Sequence, residues 1–152
     1  MKAVIQRVQN ASVKVNGETV GKCGKGFLVL LCVMQGDTEE DINVLSAKIS
    51  KLRIFEDENG KINKSITDVS GEMLIISQFT LAADCRHGNR PDFLQAAPPQ
   101  TANEYYEKFV QEIINCGIHA EKGVFGEHMD VSLINDGPFT VLLDTNDLKK
   151  KK

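Results

Sequence analysis

The sequence is poor in the features that mark secreted, metal-binding or membrane-embedded proteins. Its four cysteines, Cys23, Cys32, Cys85 and Cys116, are irregularly spaced and form no C-x-x-C pair. They outline neither a disulfide scaffold nor a zinc site, and read as free thiols in a reducing cytosol. The three histidines, His87, His119 and His128, offer no H-x-x-x-H spacing, and no second ligand pair follows Cys85 and His87. No metal and no cofactor is therefore expected. No stretch approaches the roughly 18 apolar residues of a membrane span. The opening Met1-Lys2-Ala3-Val4-Ile5-Gln6-Arg7-Val8 is interrupted by Gln6 and Arg7, which suits a first strand better than a signal peptide. A cytoplasmic protein with no membrane partner is the expectation. Positive charge is also scarce: 18 Lys and Arg against 21 Asp and Glu leave a net charge of −3. That argues against broad, non-specific nucleic-acid binding, but not against a protein that grips only the end of an RNA.

What is present fits one compact unit. The 152 residues, 41% hydrophobic and 26% charged, are enough to bury a real core. No repeat or Pro/Gly/Ser-rich linker divides them. The reading is one domain over 1–146 and a basic tail over 147–152, solvated and disordered, whose lysines could touch phosphate.

Hydrophobic patterning predicts about eight strands and two main helices. Residues 3–8 and 12–15 are β-branched and partly alternating, and Asn16-Gly17 is a strong hairpin signal before a return strand over Glu18–Lys22. Phe27–Val33 and Met73–Ile76 are continuous apolar runs, as expected of strands buried on both faces. Further strands are expected at Arg53–Phe55, 118–122, 129–134 and 139–143. Thr38 opens a helix with Glu39, Glu40 and Asp41 in its first turn and an apolar stripe of Ile42, Leu45, Ile49 and Leu52. Thr101-Ala102-Asn103-Glu104 reads as a capping box. It begins a second helix with Tyr105, Tyr106, Phe109, Val110, Ile113 and Ile114 on one side, ended by Gly117. Residues 82–100 form a loop whose length suggests a function. An α/β fold in three layers, one of helices backing two of sheet, would bury both kinds of apolar face.

Two segments could carry chemistry. Ser77-Gln78-Phe79-Thr80 lies at the C-terminal end of a buried strand, the edge that ligand sites in α/β sheets favour. Its hydroxyls, amide and turning backbone N–H groups could hold a carbonyl oxygen during ester attack. Ser77 or Thr80 as nucleophile would need a neighbouring base, and no G-x-S-x-G elbow surrounds Ser77. An ordinary strand end with hydroxyl-capped turns is the alternative. Asn135-Asp136-Gly137-Pro138-Phe139-Thr140 reads locally as a hairpin turn, with a Gly-Pro bond able to be cis or trans. Phe93 could stack on a base or anchor the loop above the core. Tyr105 and Tyr106 read as helix amphipathicity alone.

These segments, Ser77–Leu81 as S-Q-F-T-L and Asn135–Thr140 as N-x-G-P-x-T, resemble the two signatures of the D-aminoacyl-tRNA (D-tyrosyl-tRNA) deacylases. The likeness runs from Ala3 to Asp144. It includes Gln6-Arg7-Val8, Arg53–Asp57, Gly88–Phe93 and Gly123–Phe125-Gly126, all in the family's order; Asp84–His87 matches no fixed pattern. The resemblance implies a homodimer of three-layer β/β/α domains, each a barrel-like pair of sheets with two main helices, and an active site near the subunit boundary. It implies tRNA as partner, with the ester between a D-amino acid, or glycine, and the terminal adenosine as substrate. The Gly-Pro bond would be cis and inserted into the partner's pocket, where Gly137 and Pro138 match. The backbone of Phe79 and Thr80 would hold the ester carbonyl, and the Gly137 and Pro138 carbonyls the ammonium. Ser77 and Gln78 would support them, with Ala96, Phe125 and Met129 lining the pocket. The adenosine 2′-hydroxyl would assist hydrolysis, and rigid backbone placed where an L side chain must point would reject every L residue while admitting glycine.

Overall fold

The computed structural model describes residues 1–150. β1 (Lys2–Val15), β2 (Glu18–Cys23) and β3 (Gly26–Cys32) come first and are followed by α1 (Glu39–Lys51). A small hairpin, β4 (Phe55–Glu56) and β5 (Ile62–Lys64), precedes β6 (Glu72–Ser77) and a 3-10 turn over Phe79–Ala82. Then come α2 (Pro99–Asn115), β7 (Ala120–Lys122), β8 (Asp130–Asp144) and a short α3 (Thr145–Leu148).

The main sheet runs β2-β1-β3-β6-β7, with β8 also paired to β1. β3 and β6 are parallel neighbours, and both read as uninterrupted apolar segments because both of their faces are covered. On one face, Ala3, Ile5, Phe27, Val29, Met73 and Ile75 pack against α1 and α2. On the other, Leu28, Leu74 and Ile76 meet Val8, Ala11 and Val13 from the far half of β1, with Val131 and Leu133 of β8. β1 thus serves two layers. Its register against β8 slips around Gln9, so residues of the same parity face the helices before the slip and the second core after it. The result is the three-layer arrangement expected, a nearly closed pair of sheets backed by helices.

Local chemistry accounts for most ends. Asn16 and Gly17 both take positive φ, 50° and 81°, the requirement of the tightest hairpin connection. The Thr38 amide donates to the Asp41 carboxylate at 2.9 Å, opening α1. Gly117, at φ 82°, follows the last turn of α2.

Several expectations need correction. The segments 3–8 and 12–15 are one strand, and so are 129–134 and 139–143. Asn135–Pro138 is therefore no hairpin turn: the chain continues in one direction, because β1 offers a pairing partner on both sides of the segment. α2 begins at Pro99, two residues before the expected cap, since proline at the first helical position loses no hydrogen bond there. Ile114 is 43% exposed rather than part of the buried side. The loop over 82–100 is not structureless: Asp84 pairs with Asp92 and Met34 with Ala96. Of the segment 147–152, residues 147 and 148 complete α3 and Lys149 reaches Asp41 at 2.8 Å. Lys151 and Lys152 lie outside the described residues.

Candidate functional site

At the C-terminal end of β6 the sheet opens into a cavity of about 730 Å³. Ser77, the last residue of β6, pairs with Leu31, and the Gln78 amide donates to the Leu31 carbonyl at 2.8 Å. The chain then tightens into the 3-10 turn. Its first two amides, those of Phe79 and Thr80, have no acceptor within the turn. The Gln78 side-chain amide donates to the Thr80 hydroxyl at 2.5 Å. The Phe79 ring is 59% exposed and meets Phe93 edge-on at 5.1 Å between centroids.

Of the residues predicted for the site, Ser77, Gln78, Phe79, Ala96, Phe125 and Met129 line this one cavity. Thr80 stands beside it through Gln78. Gly137 and Pro138 do not line it. The size suits a nucleoside-sized ligand, and the walls are largely apolar with a few polar groups among them.

A protein nucleophile finds no support in the geometry. Among the described residues, no histidine bonds Ser77 or Thr80; His119 pairs with Glu121 at 3.0 Å and His128 with Asp130 at 3.3 Å. The nearby Cys32 thiol donates to the Phe79 carbonyl at 3.6 Å, and burial pushes its pKa up to about 11. It stays protonated at neutral pH and serves as a weak donor. Nor does any group of three His, Cys, Asp or Glu among the described residues sit as metal ligands would. No described helix is long and apolar enough to cross a membrane.

The second segment is built differently. Between the pairs Gln6–Thr140 and Val8–Asn135, the single residue Arg7 faces the four residues 136–139. This wide bulge is fastened from both sides. Arg7, 6% exposed, donates from Nε to the Asp136 carbonyl at 3.0 Å and from Nη1 to the Ile54 carbonyl at 2.8 Å. Its guanidinium lies over the Phe139 ring at 4.9 Å. Asn135 spans the bulge: its Nδ2 donates to the Arg7 and Phe139 carbonyls, and its Oδ1 accepts from the Phe139 amide, all within 3.1 Å. Gly137-Pro138 at the centre is cis. Gly137 has φ 147°, and a Cβ there would stand 2.8 Å from the Phe139 nitrogen. Only glycine fits that backbone without a shift.

Three supporting residues escaped the sequence reading. Arg7 lies in an alternating strand, and nothing local says that its side chain turns inward. Gln35 ties the cavity rim by donating to the Leu94 carbonyl at 2.6 Å. Tyr106 is buried, donates to the Ile75 carbonyl at 2.6 Å behind the site, and packs against Phe125. A tyrosine on the buried side of a predicted helix, opposite a strand end, was the available signal.

The profile of the D-Tyr-tRNA(Tyr) deacylase family matches residues 4–144. The D-aminoacyl-tRNA deacylase of Dictyoglomus turgidum is 55% identical over 152 residues, covering 100% of this chain and 97% of that protein. That of Thermosipho africanus is 57% identical over 145 residues, 95% of this chain and 97% of its own length. Among solved structures, a c-Myc DNA unwinding element binding protein superposes with a TM-score of 0.88 at 42% identity, covering 95% of this chain and 98% of that one. A probable eukaryotic D-amino acid tRNA deacylase superposes with a TM-score of 0.79 at 17% identity, over 93% and 97% of the two chains, a likeness of fold.

Proposed function

This chain belongs to the D-Tyr-tRNA(Tyr) deacylase family, and from that premise we propose that it hydrolyses the ester of D-aminoacyl-tRNA, releasing the free D-amino acid and tRNA. The observation that carries the reading is the convergence of Ser77, Gln78, Phe79, Ala96, Phe125 and Met129 on one cavity at the end of β6. In this reading the terminal adenosine and the amino acid share that cavity. The Phe79 and Thr80 amides take the ester carbonyl and stabilise the oxyanion that forms on attack, with Ser77 and Gln78 holding the turn in shape. An aminoacyl ester is already labile, so orientation and charge stabilisation are enough when the neighbouring 2′-hydroxyl assists.

Selection by handedness falls to Gly137-Pro138. Two copies pair so that this dipeptide of one enters the cavity of the other, its carbonyls taking the α-ammonium. What supports this is the pinning of the dipeptide by Arg7 and Asn135, together with its position outside its own cavity. Pinned main chain does not swing aside, so any L side chain meets it, whereas glycine passes. The enzyme acts in the cytoplasm, where aminoacyl-tRNA is found. The test is release of amino acid from tRNA charged with D-tyrosine, L-tyrosine or glycine. Rapid release of the D and glycyl forms alone is expected; equal D and L rates, or no release, overturn the reading. Ser77→Ala and Thr80→Ala should each lose activity only partly, since neither side chain is the nucleophile.

A further inference from the structure

Apart from His128, no side chain lining the cavity could carry positive charge to the phosphates of an RNA end. None of its lining residues is a lysine or arginine, and Glu127 stands on its rim. An acidic protein that holds an RNA 3′ end must bring cations to that end from outside the cavity. One segment is built to do so. Residues 84–92 leave the 3-10 turn, project, and return to Phe93, so that both ends of the projection continue directly into the cavity region. The Asp84 and Asp92 backbones exchange both hydrogen bonds, at 2.8 and 3.0 Å, and close the base like a clasp. Everything from Cys85 to Asp92 is exposed.

The projection carries two aspartates at its feet and two arginines between them. The Asp84 carboxylate, 18% exposed, sits at the base and accepts a fork from Arg86 at 2.6 to 3.0 Å. The Asp92 carboxylate at the other foot accepts from the Leu94 amide at 3.2 Å. Both acids thus sit at the base, and Arg86, although 81% exposed, is held back onto Asp84 by that fork. Arg90 is exposed, and Arg86–Asp84 is the one ion pair recorded within the projection among the described residues. The two arginines and two aspartates of the projection cancel formally, and with Arg86 held by Asp84, Arg90 is the cation with no recorded carboxylate partner among the described residues.

We infer that the 84–92 projection carries an RNA-phosphate contact of this enzyme: Arg90 grips the sugar–phosphate backbone of the single-stranded 3′ end just outside the cavity. Guanidinium is the fitting group, since its fork matches phosphate oxygens and keeps its charge at any physiological pH. The contact sets affinity for tRNA and is indifferent to the handedness of the amino acid. It rests on the deacylase reading for the identity of the RNA.

The test compares Arg90→Glu with the unaltered chain on two substrates, D-tyrosyl-tRNA and the small ester D-tyrosyl-adenosine, which lacks the flanking phosphates. The expected result is a KM for the tRNA raised about tenfold with kcat kept, a salt dependence of log(kcat/KM) shallower by about one contact, and unchanged rates on the small ester. Equal loss on both substrates, or no change on the tRNA, overturns the inference. Fluorescence anisotropy with an uncharged acceptor-stem hairpin ending in its single-stranded 3′ tail separates the two levels. If the chain deacylates nothing yet binds this hairpin through Arg90, the phosphate contact stands and the enzymatic reading falls. Binding that is unaffected by Arg90→Glu removes the contact whatever the activity.

Discussion

The cavity and the bulge on β8 are built on opposite principles. The cavity is walled by side chains, Phe79, Phe93, Phe125 and Met129 among them, which can settle around a guest. The bulge presents main chain, and its neighbours spend their hydrogen bonds holding that main chain still. In the proposed reading, the difference teaches how one protein would accommodate varied amino-acid side chains while rejecting a mirror image. Tolerance is assigned to groups that yield, and refusal to groups that do not.

The comparison breaks most visibly at Arg7. Arg7→Ala leaves the Asp136 and Ile54 carbonyls without their donor and uncovers Phe139. The expected cost is about 3 kcal/mol of unfolding free energy in urea titration, with a fall in the D/L rate ratio. Lysine at this position should rescue little, because one ammonium cannot serve both carbonyls in the geometry of a fork. Gly137→Ala sharpens the contrast from the other side. Its Cβ would crowd Phe139, so the bulge must shift; kcat/KM for D-tyrosyl-tRNA should fall about a hundredfold, with the thermal midpoint changed far less than by Arg7→Ala.

A smaller effect is expected remote from both regions. Asp41 is buried; burial opposes its ionisation, but hydrogen bonds from Lys149, Thr145 and the Thr38 backbone outweigh it and hold the carboxyl well below the usual range. A carboxylate depressed in the folded state contributes stability above its unfolded pKa of about 4 and loses it as the pH falls further. Stability should therefore decline with acid below about pH 4, and Asp41→Asn should flatten that slope while costing about 2 kcal/mol at pH 7. The D/L ratio should not move. Smallest of all, Tyr106→Phe removes the bond to the Ile75 carbonyl behind the yielding wall. About 1 kcal/mol of stability is expected to go, with KM rising and discrimination intact.

Much of this was legible in the residues, for reasons that differ by element. Asn16-Gly17 declared its turn because few residues tolerate two successive positive φ values, and Thr38 with Asp41 declared a helix start because the chemistry is local. The buried strands β3 and β6 showed as unbroken apolar runs. The cavity residues came through their likeness to a family, since nothing in Ser77–Thr80 alone separates a site from a capped strand end. What stayed hidden depends on distant partners. Asn135-Asp136-Gly137-Pro138 has the same local chemistry in a hairpin turn and in a wide bulge. The decision between them is made by β1, some 130 residues earlier in the chain, which runs past on both sides. The Thr101 capping pattern is local and says nothing of the turn before it, which Pro99 opens.

The first strand of this fold finds its mate in the last, with Lys2 opposite Asp144. During synthesis the N-terminal strand must wait for nearly the whole polypeptide before its long edge is covered, and folding cannot close earlier. The segments that form the tolerant cavity emerge from the ribosome before the refusing dipeptide does. Yet Val131 of the final strand lines that cavity, so its wall is complete only when the strand carrying Gly137-Pro138 docks. Under the proposed reading, a chain ended before the last strand would lack both the selecting dipeptide and part of the cavity wall, so no unselective hydrolase would be released.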